Sequence, residues 1–281
     1  MKSGIKPIIP DKRDLSFKAT FGAVTAFPDS FNSNFNTNCP DQNADGFPYG
    51  CSGYTQAEVC GDEDKAVYDP AYTYDKTLLI EGNQGKQVGC ELRNSLKTTL
   101  VYGVQVKDAN NADNNRRGAY YNVDKTSDYF DGARSAMLTY SQLWGKPCSI
   151  SVGSRWCLNF NSTGTDGIIK YPDPTQFSIY SLHNWKVCGW KTIDGVPYLI
   201  GKAWQGNTVG DSGWLYFSRE LYNALINDYF AGAYVLAPYK GETLTIRLTT
   251  LEVIVSMLAR AGFNGETLGK IALLLEKALH L

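Results

Sequence analysis

The pattern of apolar residues changes near residue 146, and this change limits the folds that the chain can adopt. Before that point, "GCELRNSLKTTLVYGV" places Leu92, Leu96 and Leu100 on one face of a predicted helix. A second helix is predicted from the spacing of Phe130, Ala133, Met137 and Tyr140. After that point, short β-branched and aromatic runs are separated by Gly, Pro or Asp: "PCSISVG", "HNWKVCGW", "PYLIGKAW", "GWLYFS" and "GAYVLAP". The sequence therefore predicts an α+β fold with a helical half first and a β half second.

Three regions of the chain differ in composition. Residues 1–40 are polar and interrupted by prolines, which predicts an N-terminal arm that wraps the core. Residues 41–240 carry the helical and β patterns of the main domain. Residues 241–281 predict an amphipathic helical hairpin, because two apolar stripes repeat there at helical spacing. These stripes need a partner, and three are open: the main domain, a second copy of the chain, or another protein.

The overall composition argues against several classes of partner. The chain has 27 Lys and Arg against 28 Asp and Glu, so its formal net charge is −1. We therefore expect no nucleic-acid or anionic-membrane surface. No stretch approaches the ~20 apolar residues that span a bilayer, and "MKSGIKPIIPDKRD" has no apolar core of signal-peptide length. We expect no signal peptide and no membrane span, and a location in the cytoplasm or in a virion.

The cysteines do not suggest a metal or redox site. There are seven of them, and no pair has the CxxC spacing of such sites. Without an export signal, reduced cysteines are the default. We therefore predict no bound metal and no cofactor, and a different role for at least one of the thiols.

Cys51 has the sequence context of a nucleophile. It lies in "DQNADGFPYGCSGYTQAEVC", where a glycine-containing loop opens into a predicted helix over residues 51–60. A cysteine at a helix N-terminus feels the positive end of the helix dipole, which favours the thiolate and lowers the thiol pKa. The chain has two histidines, and His183 in "SLHNWKVCGW" is the better candidate for its base. Taken alone, a single strand histidine is more often a satisfied core residue.

Several of these segments, in order, resemble the papain family of cysteine peptidases. "DQNADGFPYGCSGYTQAEV" is similar to the family's Gln-Gly…Gly-Cys stretch, and "HNWKVCGWKTIDGVPYLIGKAWQGNTVGDSGWLYFS" is similar to its histidine strand and following hairpin. "SRELYNALINDYFAGAYVL" resembles its closing strands. The resemblance implies a two-lobe fold with a cleft, in which Cys51 is the nucleophile, His183 its acid/base partner and Gln42 an oxyanion donor.

The sequence departs from the family at the residue that orients the histidine. The family has Asn there, in Asn-Ser-Trp-Gly, whereas alignment back from "GDSGW" places Ala203 at this position, or Lys202 if the register shifts by one. Loss of the orienting residue costs about 10⁴ in rate in a serine triad. We hypothesise that the amide of Gln205 replaces the missing one, because it lies two residues further on the same strand face. The alternative is that the catalytic group has degraded.

Two functions follow from the resemblance. The first is a papain-like cysteine peptidase that cleaves peptide or protein substrates, and transfer of its acyl group to an amine is an open variant. The second is a catalytically weakened or inactive papain-fold protein that acts as a structural or binding component of a larger assembly, such as a phage virion or tail. Cys51 and His183 favour the enzyme, whereas Ala203 and the predicted hairpin at residues 241–281 favour the second function.

Overall fold

The computed structural model describes residues 5–6, 8, 14–108, 115–123, 128–170, 177–228 and 231–238. The predicted hairpin at residues 241–281 lies outside them. No helix in the described part of the chain is both long and apolar enough to cross a bilayer.

The first half of the chain forms a lobe of helices around one central helix. Its helices are α2 (Cys51–Asp64), α3 (Pro70–Ile80) and α4 (Leu92–Val101), whereas the short helix α1 (Phe17–Phe21) packs outside this lobe, on Tyr121 and Trp144. Helix α2 is buried over most of its length. Gly53 lets α3 approach it closely, since a Cβ there would lie 2.5 Å from the carbonyl oxygen of Pro70. The predicted helices at 51–60 and around Leu96 are confirmed, and the first extends further, to Asp64.

The second lobe is built on an antiparallel sheet, which also includes two strands from the chain before residue 146. Its strands are β1 (Phe31–Asn32), β2 (Arg117–Asn122), β3 (Ile150–Cys157), β4 (Phe177–Ile193), β5 (Val196–Lys202), β6 (Leu215–Ser218) and β7 (Gly232–Pro238). The order across the sheet is β2-β7-β3-β4-β5-β6, and β1 pairs with β4. The five runs predicted as strands after residue 146 are therefore confirmed as β3 to β7.

Two further helices pack on this sheet, α5 (Tyr129–Trp144) and α6 (Arg219–Ile226). Helix α5 confirms the prediction made from Phe130, Ala133, Met137 and Tyr140. The expectation that "SRELYNALINDYFAGAYVL" supplies closing strands is corrected in part: Arg219–Ile226 is a helix, capped by the Ser218 side chain, and only the end of the stretch forms β7. Stacking of Trp185 on Phe217, with ring centroids 4.3 Å apart, fills the core between sheet and helices.

The two lobes meet where α2 packs against β3 and β4. Polar side chains are buried at this junction. The Nζ of Lys186 on β4 lies 2.7 Å from Asp62 and 2.9 Å from Glu58, both on α2. The junction therefore fixes the first residue of α2, Cys51, against the part of β4 that carries His183.

Candidate active site

Cys51 is the first residue of α2, and its sulfur points into the lobe junction. The side chain is 0 % exposed. The Sγ accepts a hydrogen bond from the backbone N–H of Asn184 at 3.4 Å. Burial raises the pKa of the Cys51 thiol to about 12, although the backbone N–H groups of Asn184, Ser52 and Cys51 act in the opposite direction. The expected lowering of this pKa by the helix N-terminus is therefore outweighed by burial, and Cys51 is a neutral thiol.

His183 lies on β4, immediately before the residue whose N–H contacts Cys51. It is also 0 % exposed. Its Nε2 lies 2.8 Å from the carbonyl oxygen of Ala203, while Nδ1 is buried without a hydrogen-bond partner among the described residues. The ring packs on Trp156, with centroids 4.7 Å apart. Burial lowers the pKa of His183 to about 4, against the effect of the Ala203 carbonyl, so the imidazole is neutral.

The hydrogen bond to Ala203 determines which nitrogen of His183 carries the proton. A carbonyl oxygen can only accept, so Nε2 must be the donor. In the neutral imidazole the proton is then on Nε2, and Nδ1 carries the free lone pair. This is the tautomer that a general base needs if it is to receive a proton at Nδ1.

Gln42 is buried beside the same turn. Its backbone N–H donates to the carbonyl oxygen of Trp204 at 3.2 Å. Its side-chain Nε2 donates to the carbonyl oxygen of Pro48 at 3.1 Å, which uses one of the two amide protons. The side-chain Oε1 is buried without a hydrogen-bond partner in the described part of the chain. The structure thus brings Gln42 to the 203–205 turn, with one amide N–H engaged by its own loop.

Gln205 does not contact the histidine. Its Nε2 donates to the Oδ1 of Asn161, and no hydrogen bond joins it to His183 among the described residues. Gln205, Asn161, Asp41, Asn43 and Val209 instead line an open cavity of about 220 Å³. The acceptor that holds His183 is the main chain of Ala203, which side-chain comparison of the sequence did not identify.

Trp204 is a second residue that sequence reasoning missed. It has a positive φ of 60°, an uncommon conformation for a bulky residue. Its buried indole N–H donates to the Thr55 Oγ1 and to the carbonyl oxygen of Asn184, both at 2.9 Å. One side chain thus ties α2, β4 and the turn that presents the Ala203 carbonyl. The signal in the sequence is the tryptophan of "KAWQG", next to the position where the family has its orienting residue.

Comparison with known proteins gives a likeness in structure alone. No family model matches the chain, and no curated protein matches it in sequence. Xylellain, a cysteine protease from Xylella fastidiosa, is similar over 85% of this chain and 96% of its own, at 18% identity and a TM-score of 0.66. A proCathepsin B from Trypanosoma congolense covers 84% of this chain and 87% of its own, at 15% identity and a TM-score of 0.58.

The bromelain protease from Ananas comosus, solved with the E64 inhibitor, is similar over 75% of this chain and 99% of its own, at 14% identity and a TM-score of 0.52. At such identities the likeness concerns the fold. The expected architecture of one helical and one β lobe is confirmed: the chain has the fold of the papain-like cysteine proteases.

Proposed function

We propose that this protein is a cysteine peptidase that uses Cys51 as nucleophile and His183 as acid/base. The observation that carries this proposal is the hydrogen bond from His183 Nε2 to the Ala203 carbonyl at 2.8 Å. The carbonyl does the work of the side-chain acceptor that the sequence lacks at position 203. The lack of that side chain was the main argument for a degraded catalytic group. Because a carbonyl cannot donate, it sets the tautomer at least as strictly as a side-chain amide.

The proposed reaction begins with proton transfer from the Cys51 thiol to Nδ1 of His183. The thiolate then attacks the carbonyl carbon of the substrate peptide, and an electron pair of the C=O bond moves onto its oxygen. The backbone N–H of Cys51 and the remaining amide N–H of Gln42 are the proposed donors to this oxyanion. The electron pair on the oxygen then re-forms the C=O bond, the C–N bond breaks, and Nδ1–H delivers its proton to the leaving nitrogen, which leaves a thioester on Cys51.

Water completes the proposed cycle. It attacks the thioester carbon and gives a proton to Nδ1. As the C–S bond breaks, the carboxylic acid is released, and the sulfur takes this proton back from Nδ1, which restores the thiol. Throughout, Nε2–H stays on the Ala203 carbonyl. Gln205, which binds Asn161, has no role in these proton transfers.

The test is labelling of the native protein with an epoxide inhibitor of papain-type thiols, measured by intact mass. We expect one adduct, located at Cys51 by peptide mapping, and its loss in Cys51→Ala and in His183→Ala. Cys188→Ala is the matched control, since Cys188 is an equally buried free cysteine in a different apolar cluster from Cys51. Labelling that persists in His183→Ala would contradict the assigned base.

The alternative function, an inactive papain-fold component of a larger assembly, draws on a different observation. Both Cys51 and His183 are fully buried and neutral, so in this structure the thiol is neither ionised nor exposed to a substrate. If a folded, reduced sample gives no adduct, and Cys51 reacts no faster than the other thiols, this alternative replaces the peptidase.

A further inference from the structure

The main chain of Asn184 lies on an edge of β4 that β5 does not reach. Strand β5 ends at Lys202, which pairs with Lys186, two residues beyond Asn184. On this edge the N–H of Asn184 donates to the Sγ of Cys51 at 3.4 Å, and its carbonyl oxygen accepts from the indole N–H of Trp204 at 2.9 Å. Groups that would otherwise pair with a neighbouring strand therefore contact the proposed nucleophile and the turn beside it.

The side chain of Asn184 belongs to a buried network of amides and hydroxyls between the two lobes. Its Nδ2 donates to the carbonyl oxygen of Val152 at 2.7 Å and to the Oγ of Ser151 at 3.2 Å, both on β3. Its Oδ1 lies 3.4 Å from the Nε2 of Gln56 on α2. The same Nε2 donates to the Oγ atoms of Ser151 at 3.0 Å and Ser95 at 3.1 Å. The four side chains of this network are all 0 % exposed: Gln56, Ser95, Ser151 and Asn184.

Stability alone gives little reason for such a network. Replacing both partners of a buried hydrogen bond by apolar groups of the same shape can be nearly neutral for the free energy of unfolding. Buried polar networks instead rigidify the arrangement of the elements that they join. Here Gln56 follows Cys51 on the same helix, so its hydrogen bonds to β3 and β4 set the position of Cys51 relative to Asn184.

We propose that Asn184 is a positioning residue for Cys51, and that Gln56 and Ser151 hold its side chain so that its N–H stays directed at the sulfur. The nucleophilic role of Cys51 rests on the proposed peptidase function, whereas the hydrogen bond to its sulfur does not. A donor that faces the sulfur stabilises the thiolate more than the thiol. The network therefore assists the ionisation of Cys51 when its proton moves to His183.

In the described part of the chain, no charged side chain replaces this donor. The titratable groups near the sulfur are His183 on β4, Tyr74 on α3 and Cys90 before α4. Burial lowers the pKa of His183 and raises the pKa values of Tyr74 and Cys90, so these groups are neutral at pH 7. Backbone N–H groups act against the effect of burial on the pKa of Cys51, and the largest of these effects comes from Asn184.

The test is the rate at which iodoacetamide alkylates Cys51 at a fixed, mildly alkaline pH, divided by the rate for Cys188, with both measured by peptide mapping. In Asn184→Ala we expect this ratio to fall about threefold or more, because loss of the donor raises the thiol pKa and leaves less thiolate. A merely looser structure would expose Cys51 and raise the ratio. Asn223→Ala is the matched control: this amide of α6 accepts from the N–H of Phe130 at 2.9 Å, and its loss should leave the ratio unchanged.

An unchanged or raised ratio in Asn184→Ala would overturn the proposal. If that variant does not fold, Gln56→Met decides by the same ratio. It replaces the amide by an apolar side chain of similar length and leaves Asn184 bound to β3, so we expect a smaller fall. Gln87→Met is its control, because Gln87 is exposed. No fall in Gln56→Met would equally overturn the proposal.

The double variant tests whether Gln56 acts through Asn184. If it does, Gln56→Met lowers the ratio in the wild-type chain and has no further effect in Asn184→Ala, which is a non-additive result. Independent effects that multiply would contradict a shared network. Alkylation requires no catalysis, so these results stand even if epoxide labelling fails and the peptidase function is wrong.

Discussion

Helix α2 and strand β4 meet at two buried places, one lined by neutral groups and the other by charged groups. At the start of α2, burial raises the pKa of Cys51 to about 12 and lowers that of His183 to about 4, so both groups are neutral. Further along the same two elements, Lys186 is equally buried and lies 2.7 Å from Asp62. Burial alone would lower the pKa of Lys186, but Asp62 and Glu58 hold it above its ordinary value.

The difference lies in what each place offers as a partner. Lys186 has two carboxylates and the Oδ1 of Asn34 around its ammonium group. The sulfur of Cys51 accepts a hydrogen bond from the backbone N–H of Asn184, lies near the N–H groups of Ser52 and Cys51, and belongs to an apolar cluster. A buried ion persists only when a buried counter-charge compensates its lost hydration. The thiolate of Cys51 therefore needs either a protonated His183 beside it or entry of water.

The largest effect on the free energy of unfolding is expected at the charged place, around Lys186. Lys186→Met removes the cation and leaves the buried Asp62 without its closest counter-charge, which should lower the free energy of unfolding by roughly 3–5 kcal/mol. Urea unfolding at pH 7 measures this change. Lys97→Met is the control, because Lys97 is an exposed residue of α4, and it should cost less than about 0.5 kcal/mol.

The double variant Lys186→Met, Asp62→Asn sharpens the result. It removes both charges of the closest pair, so it should recover a large part of the lost stability. Loss of less than about 1 kcal/mol in the single variant would mean that water reaches this junction, and the contrast with the Cys51 end would then fail.

A smaller effect is expected at the neutral place, around Cys51 and His183. It concerns how the free energy of unfolding depends on pH. The pKa of His183 falls from its ordinary 6.5 to about 4 in the folded chain. Between these values the unfolded chain binds a proton that the folded chain does not, so stability falls as the pH falls from about 7 to 4. The full effect of this one group is about 3 kcal/mol.

Comparison with His183→Gln isolates this contribution. The variant keeps the other titrating groups, so the difference between the two unfolding free energies should shrink or reverse by about 3 kcal/mol from pH 7 to pH 4. Parallel curves for the two proteins over this range would show that His183 is hydrated in solution. The site around Cys51 and His183 would then be open to water, and the two places along α2 and β4 would differ in their access to water rather than in charge.

The proposed catalytic pair could be named from the sequence because its residue types are rare and chemically distinctive. A cysteine after a glycine-containing loop and one well-placed histidine were sufficient to name Cys51 and His183. The acceptor for His183 was not predictable in this way, since a backbone carbonyl has no residue type. The Lys186 cluster was hidden for a related reason: a lysine within alternating strand residues is typical of a solvent-facing position, and its counter-charges lie 124 and 128 residues away.

The fold was predictable where the periodicity was long or the strands were bounded by glycine and proline. Helix α3 was missed, although Asp69 caps it and Pro70 occupies its first turn, because its apolar stripe is interrupted by polar and aromatic residues. Strand β2 was missed because Arg117–Asn122 follows a polar loop, and what makes it a strand is its pairing with β7, far along the chain. Such long-range pairing leaves little mark on a local sequence pattern.

The smallest effect is expected for Gln205→Ala, and it decides how His183 is oriented. If the main chain of Ala203 is the acceptor, removal of the Gln205 amide should change the rate of epoxide labelling at Cys51 by less than about threefold. The variant loses a hydrogen bond to Asn161, which lies at the edge of an open cavity, so its stability should change by less than about 1 kcal/mol. A loss of labelling close to that of His183→Ala would mean that the Gln205 amide moves to form a hydrogen bond with His183 when the site admits the inhibitor. A side-chain amide would then orient His183 in the reactive site, and the Ala203 carbonyl would orient it only while the site is buried.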